Sequence, residues 1–351
     1  MKPTFEIIKR DFERGLLNRR LEMPLKIRNA ILHILRNDGR PSVFSEQELD
    51  IGSEVCEAFI MKHVKKLLGN AGVRTATFKP ESPLYEVLLS YQGGTTYFKE
   101  AATTVAKKLD EIMNRHPSIS PCDLLVTRVG SKDGEYLAVL QLGYQEVYAH
   151  KTSNADNQLT LCTALPFSTG RVEYACLIAL DGPSMPISIL EKPAVIDGEA
   201  VLYFSELFLE CDSSPSKKEQ AKLIDEINNE FIDEYYNGNP TVHAQIKTAL
   251  LEESDESEGF VNMDKVAAQV FDAQDELKFQ YVNTLREAGI QEDLPLGQKV
   301  VRQQFGTQRI KSENGIEIKF PAELAVEGDS IEITTHGDGS VTVLLKNLRT
   351  V

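Results

Sequence analysis

The 351-residue sequence predicts an α+β fold, with a central antiparallel sheet covered by helices, a helical region and a small C-terminal β module. The first observation is a run of short apolar segments over residues 123–192, separated by turn residues. Two of these segments flank Ser131-Lys132-Asp133-Gly134, and an Asp-Gly pair in that position is a strong hairpin signal. The second observation is that amphipathic helical patterns precede and follow the run. Because residues 174–180 are almost continuously apolar, both faces of the sheet are expected to be covered.

Three further apolar segments complete the predicted sheet. They are residues 158–165, 171–180 and 186–191, and turn residues separate them. Short connections of this kind usually join strands that are neighbours in space. The sequence therefore predicts a meander in which these segments are adjacent antiparallel strands.

Four elements are predicted before the sheet. Residues 5–16 carry apolar side chains at helical spacing and predict a short amphipathic helix, and residues 25–35 predict a strand or a buried segment. Ser45 and Glu48 have the spacing of a capping box, so a second helix is expected to begin there. Residues 73–94 predict a less regular link. The buried stripe of the last helix before the sheet is predicted to consist of Phe98, Ala102, Val105, Leu109, Ile112 and Met113.

The segments after the sheet predict helices followed by short strands. Residues 216–236, 241–251 and 263–288 have helical apolar spacing, and the last of these predicts one long helix. The acidic run at residues 252–258 is most simply a solvated linker. Alternation at period two predicts the C-terminal strands, which are residues 315–320, 330–335 and 340–345, with a hairpin turn at Asp338-Gly339.

The chain is longer than a single core usually grows, so several domains are expected. We predict an α+β domain with the central antiparallel sheet over residues 1–212, and a helical region with an acidic linker over residues 213–296. The small C-terminal β module covers residues 297–351.

Charge is unevenly distributed along the chain. The formal net charge is −15, which disfavours nucleic-acid binding because phosphate contacts supply most non-specific affinity. Residues 1–40, however, carry ten Lys or Arg against five Asp or Glu, and residues 61–80 carry five basic residues and no acid. Acidic residues dominate residues 206–260. The sequence predicts an electrically two-sided molecule.

Several classes of protein are disfavoured by missing sequence patterns. No apolar run approaches the ~20 residues of a membrane span, and the N-terminus lacks a signal-peptide layout, so a soluble cytoplasmic protein is expected. The five cysteines form no C-x-x-C pair, which fits reduced thiols. The six histidines have no metal-site spacing, and the common nucleotide, dinucleotide and serine-hydrolase motifs are missing. We therefore expect no cofactor, no metal and no enzymatic activity.

One weak catalytic alternative is a metal-dependent nuclease. Glu317-Ile318-Lys319 places a carboxylate and an amine on one strand face, as such enzymes do together with an upstream aspartate. Alternating charges on a solvated strand produce the same string, and this simpler interpretation is favoured because the motif has no structural context of its own.

Eleven basic residues in three groups are candidates for contact with DNA phosphates, although solvated surface charge is the simpler account of any one group. No helix-turn-helix, zinc-finger or RNP signature accompanies them, so little sequence specificity is expected. The candidates are Arg10, Arg14, Arg19, Arg20, Lys62, Lys65, Lys66, Lys299, Arg302, Arg309 and Lys311.

The order of apolar segments resembles the bacterial nucleoid-associated protein family of the NdpA or YejK type. The segments that carry the resemblance include Ile31-Leu32-His33-Ile34-Leu35, Phe59-Ile60-Met61-Lys62-His63, Asp123-Leu124-Leu125-Val126, Tyr203-Phe204 and the Asp338-Gly339 hairpin. The resemblance implies a cytoplasmic protein at the nucleoid, with double-stranded DNA or a DNA-bound protein as its partner. It implies no individual binding residue, because the shared patterns contain no catalytic or DNA-reading motif.

Two functional classes remain open on the sequence. The first is a non-enzymatic protein that binds DNA through its basic N-terminal half. The second is an acidic interaction protein that reaches the nucleoid through a DNA-bound enzyme, using residues 206–258. A homodimer is also expected, because the predicted meander has at least one free strand edge and proteins usually cover such edges.

Overall fold

The structure is a computed structural model that describes residues 25–132, 134–153, 156–165, 172–312, 314–336 and 340–348. It divides into two compact units, Met1–Ser214 (unit 1) and Pro215–Val351 (unit 2). The predicted helix at residues 5–16, the candidate arginines 10, 14, 19 and 20 and the predicted Asp338-Gly339 turn lie outside the described residues. The predicted helical region and β module both belong to unit 2.

Unit 1 contains a seven-stranded sheet in which every neighbouring pair is antiparallel, so the predicted α+β class with a central antiparallel sheet is confirmed. Its strands are β1 (Lys26–Leu35), β2 (Arg74–Phe78), β3 (Cys122–Ser131), β4 (Gly134–Gly143), β7 (Tyr174–Ala179), β8 (Ile187–Leu190) and β11 (Cys211–Ser213). The strand order is β1-β3-β4-β7-β8-β2-β11.

Helices cover both faces of this sheet, as the continuous apolar pattern predicts. The helices in the described part of unit 1 are α1 (Glu54–Leu68), α2 (Pro83–Gln92) and α3 (Phe98–Arg115), with a π-helical turn at Phe204–Leu209. On one face Leu124, Val126 and Val139 pack with α2, α3 and the π-helical turn. On the other face Leu125 and Leu140 pack against α1. All six residues of the predicted α3 stripe are buried.

The predicted hairpin forms between β3 and β4, which pair from Cys122↔Gly143 to Ser131↔Gly134. Gly134 has φ +143°, and a Cβ atom there would lie 1.6 Å from Asp181 Oδ2. Asp181 in turn accepts a hydrogen bond from the Glu135 backbone N–H at 2.9 Å. Glycine is therefore required at this end of the hairpin by both backbone conformation and space.

The predicted meander is wrong for residues 158–165. These residues belong to β6 (Asp156–Ala164), which pairs only with β5 (Gln145–Ser153) in a separate two-stranded ribbon. Consequently β7 pairs directly with β4 in the main sheet. The period-two pattern of the segment correctly indicates a strand, but it does not specify which strand is its partner. A second small ribbon is formed by β9 (Ala194–Ile196) and β10 (Glu199–Val201).

Two predictions before the sheet are also corrected. Helix α1 begins at Glu54 after Ser53, and not at Ser45. The Ser45 amide donates to His33 Nδ1 at 3.1 Å, and Glu48 accepts from the Asn29 side chain at 2.8 Å, so neighbours on β1 bind the groups of the expected capping box. The expected irregular link at residues 73–94 contains β2 and α2.

The sheet edges give little support to the predicted dimer. The outer edge of β1 is partly occupied, because Ile34 exchanges backbone hydrogen bonds with Val43 and the Leu49 amide donates to Ala30. At the opposite edge β11 has three residues. The homodimer stays a prediction.

Unit 2 is built around six helices of the described chain and three short two-stranded pairings. The helices are α4 (Lys217–Tyr236), α5 (Pro240–Glu256), α6 (Met263–Val270), α7 (Asp275–Glu287), α8 (Gln298–Phe305) and α9 (Glu323–Glu327). The strands are β12 (Val261–Asn262), β13 (Asp293–Leu294), β14 (Thr307–Lys311), β15 (Glu317–Pro321), β16 (Ile331–Thr335) and β17 (Val341–Leu345). They pair as β12 with β13, β14 with β15 and β16 with β17, and the three predicted C-terminal strands correspond to β15, β16 and β17.

Two predictions in unit 2 are wrong. The acidic run is not a linker, because α5 continues to Glu256 and buries Glu253 and Ser254. The expected long helix at residues 263–288 is interrupted between α6 and α7. At the interruption the buried Phe271 ring stacks on Tyr236 with centroids 6.1 Å apart, so aromatic packing overrides the continuous helical pattern.

Candidate nucleic-acid interface

Three of the candidate lysines share one exposed stripe of α1. Lys62, Lys65 and Lys66 are spaced by three and four residues, which places them on neighbouring turns of the same helix face. All three side chains are exposed. Lys62 and Lys65 form no ion pair with any carboxylate in the part of the chain that the structure describes. The stripe is therefore a local concentration of positive charge.

The packing of helix α1 directs the lysine stripe towards solvent. Ile60, Val64 and Leu67 on its opposite side are buried against the sheet. Lys65 and Lys66 lie in the last turn, where the partial negative charge of the helix C-terminus favours cations. No acidic residue lies three or four positions from any of these lysines in the sequence.

His63 lies beside the lysines but adds no charge to the stripe. It is buried, and its Nδ1–H donates to the Phe59 carbonyl at 2.8 Å. Burial lowers the pKa of His63, and the nearby Lys66 and Lys62 lower it further. The histidine therefore packs within the helix face and does not extend the stripe.

A second group of cations lies at the hairpin end of the sheet. Arg28 Nε and Arg128 Nε contact the two oxygens of Glu135 at 3.3 and 2.9 Å. The Arg128 guanidinium also lies 6.0 Å from the centroid of the Tyr91 ring, within the range of a cation–π contact. Two guanidiniums thus share the Glu135 carboxylate. A Cβ atom at Gly130 would lie 2.6 Å from Glu135 Oε1, so the glycine leaves room for the cluster.

The lysine stripe and the arginine pair lie at the same end of unit 1 but on opposite faces of the sheet, because Arg128 contacts Tyr91 of α2 whereas the stripe lies on α1. Residues from α1, from the start of β1 and from the β3–β4 hairpin line one small apolar cavity, which places these segments side by side. Its lining consists of Leu25, Val64, Leu68, Val129, Ser131, Tyr136 and Leu177. We call the cations around this end the basic surface, and they are Lys26, Arg28, Lys62, Lys65, Lys66, Arg128 and Lys132.

Four members of the basic surface were missed by the sequence reasoning. Lys26, Arg28, Arg128 and Lys132 are single charges at the ends of strands that lie about one hundred residues apart in the chain. Only the pairing of β1 with β3, for example Lys26 opposite Gly130, brings them together. The sequence feature that could have indicated them is that each charge lies beside a strongly apolar segment.

The remaining four candidates lie in unit 2, where two of them form ion pairs. Arg302 on α8 contacts Asp255 at 2.7 Å, and Arg309 on β14 contacts Glu317 at 2.8 Å. Lys299 on α8 and Lys311 on β14 are exposed. Unit 2 has 14 Lys and Arg against 25 Asp and Glu, a net charge of −11, whereas residues 1–214 have 24 against 28, a net charge of −4. The basic residues of unit 2 are therefore set among an excess of acids.

The carboxylate of the nuclease alternative is engaged in surface ion pairs. Glu317 accepts from Arg309 across the β14–β15 hairpin at 2.8 Å, and from Lys319 on its own strand at 2.9 Å. The hydrogen bond from Lys319 and then that from Arg309 hold the pKa of Glu317 below its ordinary value. Within the described ranges no three His, Cys, Asp or Glu side chains come together in a way that could hold a metal ion.

In the alternative in which the protein is an acidic interaction protein, the acidic run at residues 252–258 would contact the partner. Several of its side chains instead form ion pairs or hydrogen bonds within unit 2. Glu253 accepts from Lys265 at 3.0 Å, Asp255 pairs with Arg302, and Glu252 accepts from the Gln269 side chain. Helix α4 carries a second group of exposed acids, Glu230, Asp233 and Glu234, on one helix face. These three side chains form no ion pair with any described cation.

The fold and its charge distribution define a two-unit α+β protein with a basic surface on one unit and a strong excess of acids on the other. The chain belongs to the nucleoid-associated protein YejK family, whose sequence model matches residues 31–350. No curated protein matches the chain. Membership of this bacterial family confirms the predicted resemblance and gives the protein a role at the nucleoid. Among the described residues, every helix is too short or too polar to span a lipid bilayer.

Proposed function

We propose that this protein binds double-stranded DNA directly, with little sequence specificity, through the basic surface of unit 1, and that it is not an enzyme. The observation that carries the proposal is the exposed stripe of Lys62, Lys65 and Lys66 on α1. The nucleoid-associated family supports a partner of this class.

The side chains of the basic surface suit phosphate contact better than base recognition. A lysine ammonium acts as a flexible point charge, and each phosphate that it neutralises releases a condensed counterion. Base recognition needs planar donors and acceptors that reach a groove edge, such as Asn, Gln or a free Arg. The lysine stripe has none of these, and both arginines are already bound to Glu135. Affinity should therefore depend on salt far more than on sequence.

The experiment is a fluorescence-anisotropy titration of two labelled duplexes of unrelated sequence at several salt concentrations. We expect similar affinities for the two duplexes and a linear fall of log K with log salt, with a slope of roughly −3 to −6 if three to seven phosphates are neutralised. Binding that is undetectable at low salt, or binding that does not change with salt, would contradict direct contact through this surface.

The acidic interaction protein is the second candidate, and the exposed stripe of α4 favours it. Glu230, Asp233 and Glu234 lie three to four residues apart and give this helix face a concentrated negative charge. Such a face fits a basic surface on a DNA-bound enzyme. If E230Q/D233N/E234Q removes the protein from the nucleoid in cells while the purified variant binds duplex normally, association is indirect. Loss of nucleoid localisation only in a variant that has lost DNA affinity would favour the first candidate.

A further inference from the structure

Lys217 lies at the first position of α4, and its charge has no partner there. Its amine forms no hydrogen bond or ion pair with any residue that the structure describes. Glu219, the nearest acid along α4, binds the amide and the hydroxyl of Ser216 at 2.8 and 2.7 Å. The residues three and four positions after Lys217 are Gln220 and Ala221. Helix α4 therefore supplies no carboxylate at the spacing that would reach this amine.

The start of a second helix lies beside the same amine. Gly297 is the N-cap residue of α8, with φ +84°, and a Cβ atom there would lie 3.7 Å from Lys217 Nζ. Because Gly297 has no side chain, it neither caps α8 nor covers the amine. The Lys217 amine thus lies near the N-terminus of α8 as well as that of its own helix. The partial positive charge of helix N-termini disfavours a cation at this place.

Partial burial acts on the protonation of Lys217 in the same direction. The side chain is half-buried, whereas that of its neighbour Lys218 is exposed. Burial lowers the pKa of Lys217 to about 8. About a quarter of the amine is then neutral at pH 7.5, compared with about one part in a thousand for a lysine with an ordinary pKa. The neutral amine is the nucleophilic form, and desolvation is a common way to activate a lysine.

We propose that the Lys217 amine is a site of acylation by small activated acyl donors such as acyl phosphates. The amine lone pair attacks the acyl carbon, a C–N bond forms, and the C–O bond to the leaving phosphate breaks. The amine proton passes to solvent, so the step needs no oxidant and no further reactant. The product is a neutral amide, which removes one of the 14 basic charges of unit 2.

Other half-buried or buried lysines lack this combination of features. Burial also lowers the pKa of Lys247, but its amine donates to the Thr307 carbonyl at 3.1 Å and its side chain is only 6% exposed. An acyl donor therefore has little access to it. Lys108 is partly exposed, but its amine contacts Glu210 at 2.7 Å, and a carboxylate at that distance favours the charged form. Lys217 combines partial access with the lack of an anionic partner.

The test compares Lys217 with Lys218 in the full chain. The folded protein is treated with acetyl phosphate at several pH values from about 6.5 to 10, which spans the ordinary and lowered lysine pKa. The remaining amines are then labelled with deuterated acetic anhydride in urea, and fragment ions in peptide mass spectrometry give the acetylated fraction of each lysine. We expect Lys217 to react at least about fivefold faster than Lys218 at pH 7.5, and its rate to stop rising above about pH 9.

The matched control is the same measurement in urea-unfolded protein, where the two adjacent lysines should react equally because only the fold distinguishes them. K218R should keep the fast reaction of Lys217, and K217R should leave only the slow reaction of Lys218. Arginine retains the positive charge but is not acylated under these conditions. Equal rates at the two lysines in the folded protein, a rate ratio that persists in urea, or a Lys217 rate that continues to rise above pH 9 would overturn the proposal.

Discussion

His33 gives unit 1 a specific sensitivity to acid. Its side chain on β1 is fully buried, and its Nδ1 accepts a hydrogen bond from the Ser45 amide at 3.1 Å. The neutral ring therefore carries its proton on Nε2, which is buried and has no hydrogen-bond partner among the described residues. A second proton would have to displace the Ser45 amide and place a charge in the core, so burial lowers the pKa of His33 to about 4.

The direction of the pH effect follows from this lowered pKa. In the unfolded chain the imidazole has a pKa of about 6.5 and binds a proton first as the pH falls. The folded state loses stability progressively between pH 6.5 and 4, and below pH 4 the loss is complete. A difference of 2.5 pKa units at 1.36 kcal/mol each sets an upper bound of about 3.4 kcal/mol.

The assay is urea unfolding of the wild type and of H33Q, followed by circular dichroism, at several pH values from 7.5 to 4. Glutamine keeps an acceptor for the Ser45 amide but does not titrate. We expect H33Q to lose less stability than the wild type over this range, by up to about 3 kcal/mol in the free energy of unfolding. Carboxylates titrate in both proteins and cancel in the difference. Parallel pH profiles for the two proteins would refute the reasoning.

Three further predictions concern single side chains. G134A should lower the free energy of unfolding of unit 1 by about 1–3 kcal/mol in urea titrations, because the new Cβ would meet Asp181; unchanged stability would contradict the packing at the hairpin. E253A should cost unit 2 about 1–2 kcal/mol because it removes the hydrogen bonds that Glu253 accepts, whereas E256A at an exposed position should change stability by less than about 0.5 kcal/mol; equal effects would contradict the burial of Glu253. The purified protein should not cleave DNA with Mg²⁺ or Mn²⁺, and cleavage that E317A abolishes would reinstate the nuclease alternative.

Elements with strong local patterns could be predicted from the sequence. The stripe of α3 repeats at helical spacing over eighteen residues, and every predicted member is buried. The β3–β4 hairpin has an Asp-Gly turn signal between two long apolar segments, and its strands pair as expected. In both cases the interactions that fix the element lie close together in the chain.

Elements decided by distant residues could not be predicted. Ser216 and Glu219 form a capping box at the start of α4, but Ser45 and Glu48, with the same spacing, bind His33 and Asn29 on β1 instead. A local motif does not show whether residues distant in the chain bind the same side chains instead. The pattern of β6 is likewise that of any strand, and it does not identify β5 as the partner.

The candidate site shows the same division. The lysine stripe lies on one helix, so its spacing alone places Lys62, Lys65 and Lys66 together. The arginine pair is assembled by long-range strand pairing, and the sequence shows Arg28 and Arg128 only as isolated charges. The ion pairs of Arg302 and Arg309 equally depend on distant acids.

The central claim is that the lysine stripe contacts duplex DNA, and charge reversal tests it most directly. K62E/K65E/K66E should weaken binding to all duplexes alike and reduce the magnitude of the salt slope by up to about 0.9 for each phosphate that is no longer neutralised. The control K99E/K107E/K218E changes the net charge equally at exposed lysines on α3 and α4, and should bind nearly as the wild type does. Equal reductions of affinity in both variants, or an unchanged affinity and salt slope in K62E/K65E/K66E, would contradict the proposed interface.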